Sequence, residues 1–236
     1  MAACVTWFWG WLVGVCVAGA VLGQTPCCWS DKWEANLSQK LGVYNRVSNF
    51  ASLAQIEGTM SVDHSLQKTY NDIRVTNGSS STYLKVLDDF ANGKSYTVYN
   101  GYCIKVNLTT PMPASCVPAK ARLLGNHSFS GVQAQTWVVP APAYPVTSDY
   151  NSSRITVSEK GCVPLHEVAL QFADTSRMSV LSLQNLTPGI VDPSVFDIPL
   201  SCNTSRTYHS LRDVTDSSPH MHVVGQYLHR HKTHLL

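Results

Sequence analysis

Between about Tyr44 and Leu108, apolar and polar side chains alternate in short runs separated by turn residues. A period of two puts successive side chains on opposite faces of an extended chain, so these runs predict strands rather than helices. Segments 60–62 and 66–75 flank Asp63-His64-Ser65, segments 82–90 and 94–99 flank Asn92-Gly93, and 102–108 follows Asn100-Gly101. Asn and Gly tolerate the positive φ of a type I′ turn, so each Asn-Gly pair marks a hairpin and the series a β-meander.

Prolines interrupt the pattern twice. Residues 109–120 hold three of them and predict a loop or a crossing between sheets, because proline lacks the N–H that a central strand must donate. Residues 138–145 form a second Pro-rich connection after Trp137. Beyond it, 154–158 and 162–172 read as a hairpin about Glu159-Lys160-Gly161, and 179–186 is strand-like. Asp192 ahead of Pro193 suits the cap and first position of a short turn or helix. No heptad or internal repeat is visible, and the expected class is mainly β with little helix.

The two ends follow other rules. Met1–Gly23 is an uncharged apolar run closed by small residues, which predicts a secretory signal peptide at 1–23. No second run of membrane-spanning length follows, so no transmembrane span is expected in the mature chain. The expected β domain covers 24–211, and 212–236 reads as an extended His-rich tail.

Composition sharpens this picture where it departs from the ordinary. Only 14% of residues are charged and the formal net charge is +2, so there is no electrostatic footprint for nucleic acid. Seven asparagines, Asn36, Asn77, Asn107, Asn126, Asn151, Asn185 and Asn203, sit in N-x-S/T sequons, which predicts N-glycans on surface loops and strand ends. Six cysteines remain after the leader: Cys27, Cys28, Cys103, Cys116, Cys162 and Cys202. An even number in an oxidising compartment predicts three bridges with fifteen possible pairings. Neighbouring Cys27 and Cys28 are not expected to bond each other, so each reaches a different partner.

Sequence handles for catalysis are missing: there is no G-x-S-x-G elbow, no HExxH and no P-loop, and no enzyme activity is expected. His166-Glu167 reads as an alternating strand surface. The histidine pairs His220/His222 and His229/His231 are candidate ligands for Zn²⁺ or Cu²⁺, against the simpler expectation of a solvated tail. Asp88 and Asp89, with Asp72, are candidates for a calcium site, against ordinary surface charge. No cofactor is required, calcium being the one considered.

Three cysteine-centred segments, 102–113, 161–170 and above all 189–202 with its Asp192-Pro193-Ser194-Val195-Phe196 run, resemble the ependymin and ependymin-related glycoproteins. The similarity covers about Cys27 to Asn203. It implies two stacked antiparallel curved sheets, a half-open barrel-like sandwich around a deep apolar pocket, with lipid or another hydrophobic molecule as ligand. It further implies calcium association, homodimerisation, cell-matrix contact and lysosomal delivery beside secretion. The family pattern pairs Cys103 with Cys202, and Cys27 or Cys28 with Cys162; Cys116 is then expected to join whichever of Cys27 and Cys28 is left. Side chains suited to line the pocket are Leu84, Val86, Tyr96, Val98 and Trp137, together with Ile155, Val157, Leu170 and Phe172, each of which ordinary core packing would also explain. Two functions follow: an extracellular carrier of hydrophobic ligands, or a calcium-dependent adhesive or structural glycoprotein of the matrix.

Overall fold

Alternation extends over longer stretches of the chain than the short strands expected from sequence. A computed structural model describes residues 25–108, 110–140, 150–171, 175–205 and 207–208. Among these residues the strands are β1 (Lys32–Asn45), β2 (Phe50–Asp63), β3 (Lys68–Asn77), β4 (Ser80–Asp89), β5 (Lys94–Tyr99) and β6 (Tyr102–Asn107). The second half adds β7 (Arg122–Phe129), β8 (Val132–Pro140), β9 (Tyr150–Ser158), β10 (Pro164–Gln171), β11 (Thr175–Pro188) and the short β12 (Thr207–Tyr208). The expected leader and the tail 212–236 lie outside the described residues.

The fold is mainly β and antiparallel, as the residues suggest, but its hydrogen bonding is continuous. All twelve strands form one sheet in the order β12-β6-β5-β4-β3-β2-β1-β11-β10-β9-β8-β7, parallel only between β12 and β6. The two expected sheets are therefore the two arms of a single one. They meet at β1, which bonds β2 along one edge and β11 along the other. That strand begins well before Tyr44, and its inner positions Trp33, Ala35, Leu37, Gln39, Leu41 and Val43 are all buried.

The sheet is curved because its connections require it. β6 and β7 are consecutive in sequence yet lie ten positions apart in the strand order, about 48 Å if the sheet were flat. The Pro-rich linker between them would reach only about 50 Å fully extended. It is neither extended nor direct: it turns at Pro118–Ala121 and is tied to the segment ahead of β1 by a Cys28–Cys116 disulfide. Curvature then lets one apolar cluster draw on both arms, from Ile104 and Val106 on β6 to Trp137 and Val139 on β8.

Turn chemistry places the hairpins. Asn100 and Gly101 both have positive φ (47° and 80°) in the two-residue turn joining β5 to β6. The β4–β5 turn uses Gly93 at φ 61°, with the Asp89 carboxylate accepting from the backbone and side-chain amides of Asn92. Asp192 caps a 3-10 turn at Pro193–Phe196 by accepting from Ser194 N at 3.0 Å.

Candidate functional site

Side chains from both arms meet on the inner face of the sheet, and a covalent strap closes one end of it. Cys27 is bonded to Cys162 in the β9–β10 turn, and Cys28 to Cys116 in the β6–β7 linker. Between these bridges Trp29 N donates to Ser115 O, and Val117 N to Cys27 O, so two irregular segments pair as a short ribbon. Trp29, Met112 and Val117 pack from this ribbon onto Trp33 and its neighbours. A third bridge, Cys103–Cys202, ties β6 to the segment after β11. The alternatives left open for Cys27, Cys28 and Cys116 are thereby assigned.

Moving away from the strap, bulky inner residues give way to smaller ones. Trp137, Ile155 and Ile56 occupy one row across the sheet, while Ser153, Ala169, Ser179 and Ala54 occupy the next, where Leu41 and Ala54 belong to a separate small cluster with Val43. Farther still, Arg177 shares the Val43 row, half-buried and with its Nε unpaired.

Polar side chains are set among these apolar ones in register. Reading across β8, β9, β10, β11 and β1, the paired residues are Trp137, Ile155, Glu167, Leu181 and Gln39. Every one is buried. Gln39 Nε2 donates to Ser179 Oγ at 2.7 Å, but its Oε1 has no partner; Glu167 Oε2 and Trp137 Nε1 have none either. Burial pushes the Glu167 carboxyl up to about 8, with a hydrogen bond to Ser153 pulling weakly the other way. Desolvation favours the uncharged acid, so Glu167 is a hydrogen-bonding group rather than an anion at neutral pH.

Glu167 is therefore not part of a strand surface as expected: it is His166, on the opposite face, that is half-buried, 5.2 Å from the Phe129 ring. Asp88 and Asp89 also depart from surface charge. Both are buried, on opposite faces because they are consecutive strand residues, which prevents them from holding one ion together. Asp88 pairs in register with Thr69 and Ser95 on the inner face, while Asp89 meets Lys68 at 3.6 Å on the outer. Asp72 faces Lys85 at 3.5 Å. No group of three potential ligands suited to a metal occurs among the described residues. His220, His222, His229 and His231 lie outside them.

The nine lining candidates divide between two faces. Leu84, Val86, Trp137, Ile155 and Val157 sit in the main inner cluster. Tyr96 and Val98 belong to the outer face, where Leu87, Phe196 and Cys202 cover them. Leu170 has the outer phase of β10, and Phe172 is outside the described residues. Gln39 and Glu167 were missed as site residues, although the signal was present: each is in phase with apolar inner neighbours, Gln39 with Leu37 and Leu41, Glu167 with Ala169. Of the sequon asparagines, Asn36, Asn77, Asn126, Asn185 and Asn203 are exposed and Asn107 is half-buried beside Lys94. The side chain of Asn151 is not described.

Comparison with known proteins adds the lineage. Among solved structures, an uncharacterized conserved protein from Thermus thermophilus aligns with a TM-score of 0.46 and 10% identity, over 76% of this chain and 91% of its own. LprF from Mycobacterium bovis aligns at 0.35 and 8% identity, over 69% and 89%. The LolA superfamily protein NE2245 from Nitrosomonas europaea gives 0.34 and 9%, over 72% and 91%. No curated protein sequence matches. The Ependymin family model, however, matches residues 78–202, more than half of the 236 residues and spanning β4 to the last cysteine of the Cys103–Cys202 bridge, and the chain belongs to the ependymin family.

Proposed function

We propose that this protein is a secreted carrier that holds a lipid or another hydrophobic molecule against the inner face of its curved sheet. The observation that carries the reading is that face itself: apolar side chains from both arms converge on it, a disulfide-bonded ribbon roofs one end, and bulk falls away toward the other. Apolar concave surfaces with a few fixed polar groups are what bind hydrophobic ligands, because burial of the ligand contributes about 25 cal/mol per Å². Membership of the ependymin family, whose resemblance implies such a ligand, supports it.

Secretion is the reading that the apolar leader and the three bridges support, since disulfides form and persist chiefly in oxidising compartments. Glycans fit the five exposed sequon asparagines without displacing any core side chain. The test is native mass spectrometry of protein purified without detergent. A co-purifying lipid, released on denaturation, is the expected result; a protein that carries none and takes up none from mixed lipid vesicles defeats the proposal.

A further inference from the structure

Three orphaned polar atoms in one register row call for a partner. Trp137 Nε1 is a donor, Gln39 Oε1 an acceptor, and Glu167 Oε2 belongs to a carboxyl group that donates when protonated. Leaving such groups unpaired in an apolar interior costs about 1–3 kcal/mol each, so native interiors satisfy them. Their spacing is regular: Ile155 separates Trp137 from Glu167, and Leu181 separates Glu167 from Gln39. Neighbours in this series stand two strands apart, about 10 Å between Cα atoms on a flat sheet and less between side-chain ends on the inside of a curved one.

We propose that Trp137, Glu167 and Gln39 form a polar recognition row inside the carrier, selecting an uncharged hydrophobic ligand that bears a hydroxyl group. The inference rests on the carrier reading above and specifies its ligand class. A hydroxyl oxygen accepts hydrogen bonds and its proton is donated, so one hydroxyl set between Glu167 and Gln39 serves the acid donor of the first and the acceptor of the second, while Trp137 Nε1, four strands from Gln39, is left for a separate acceptor on the ligand. An ether accepts only, and leaves Gln39 Oε1 unpaired. A carboxylate brings a buried negative charge to a row that holds no cation, which is the costlier choice. The charged groups around Glu167 agree with this. On the described inner positions of β9, β11 and β1 no ionisable side chain accompanies it except Arg177, which lies four residues along β11 from Leu181, about 14 Å away. Ser153 and Ser179 extend the polar set by bonding Glu167 and Gln39 respectively, which holds both side chains in place.

Competition against the neutral dye Nile red separates the two levels of the proposal. Purified, disulfide-intact protein is loaded with the dye and titrated with 1-hexadecanol, hexadecyl methyl ether and hexadecanoate, three ligands with one chain length and different heads. Hexadecanol is expected to displace the dye about tenfold more effectively than either competitor. Gln39→Leu and Glu167→Leu should bring hexadecanol level with the ether, the ratio of the two being read at each variant's own dye affinity. Equal displacement by alcohol and ether in the unaltered protein overturns the inference, as does preference for hexadecanoate, which would place the anchor at Arg177. Should either variant fail to fold, the comparison of heads on the unaltered protein decides alone. A protein that binds neither dye nor any of the three ligands removes the carrier reading, and the recognition row with it.

Discussion

Cys28 and Cys116 stand 3.9 Å apart at Cα, one ahead of the central strand β1 and the other midway along the linker from β6 to β7 that joins the two arms of the sheet. Their bond closes a loop of 88 residues that contains β1 to β6 entire. In the chain-entropy account such a closure stabilises the fold by about 4–5 kcal/mol. The double variant Cys28→Ser with Cys116→Ser should lose most of that in denaturant unfolding, with the other two bridges intact. A midpoint unchanged within error would mean that the ribbon is held by Trp29 and Val117 packing alone.

Glu167 makes stability depend on pH in an unusual direction. Its folded carboxyl sits at about 8 against a reference of 4.5, so the folded state retains the proton over a range in which the unfolded chain releases it. Stability is fully present below about pH 4.5, declines as pH rises, at up to about 1.4 kcal/mol per pH unit, and levels off above about 8. Glu167→Gln should flatten this slope. The measurement is a urea midpoint at each pH for both proteins; parallel profiles would show that the carboxyl is ionised in the fold at neutral pH.

Much of this architecture is written in the chain, though unevenly. Hairpins at Asn92-Gly93 and Asn100-Gly101, the cap at Asp192 and the turn at Glu159–Gly161 are all legible, because each depends on residues adjacent in sequence. β1 is harder to see, since Ala35 and Gln39 dilute the apolar phase set by Trp33, Leu37 and Leu41. β7 hides for another reason: it is an edge strand with most of its side chains exposed, and an exposed strand shows no apolar period. The union of two expected sheets into one is a matter of long-range pairing between β1 and β11, some 140 residues apart, on which local pattern is silent. Site residues are the least legible. Polar residues in strands are ordinarily assigned to the solvent face, and only their phase against buried neighbours reveals Gln39 and Glu167 as interior.

Phe196 tests the outer face. It is buried against Leu87 and Tyr96, where the segment after β11 crosses β4 and β5, and its carbonyl accepts from Lys68 Nζ at 3.1 Å. Phe196→Ala should cost about 3–5 kcal/mol. Amide exchange should rise in β4 and β5 while the inner-face strands β9 and β10 remain protected, and a uniform rise instead would place Phe196 in the general core.

Gly58 is a position at which the sheet tolerates no side chain at all. It lies opposite Ile73 on β3, and a Cβ built there would stand 2.0 Å from Asp72 O and 2.8 Å from the Cα of Ile73. Both obstacles are backbone, so neither can swing aside as a long side chain would. Gly58→Ala must therefore push β2 and β3 apart in the middle of a ladder that runs from Ala54–Asn77 to Asp63–Lys68. Overpacking a core costs about 1–3 kcal/mol even where side chains can yield, and here the loss should reach at least the top of that range. Thermal unfolding under non-reducing conditions checks it. Because β2 also carries Ile56 in the row that contains Gln39, the same variant should weaken hydrophobic-dye binding at temperatures where the protein is still folded. A variant with native melting and native dye binding would mean that β2 and β3 are farther apart at Gly58 than the ladder places them.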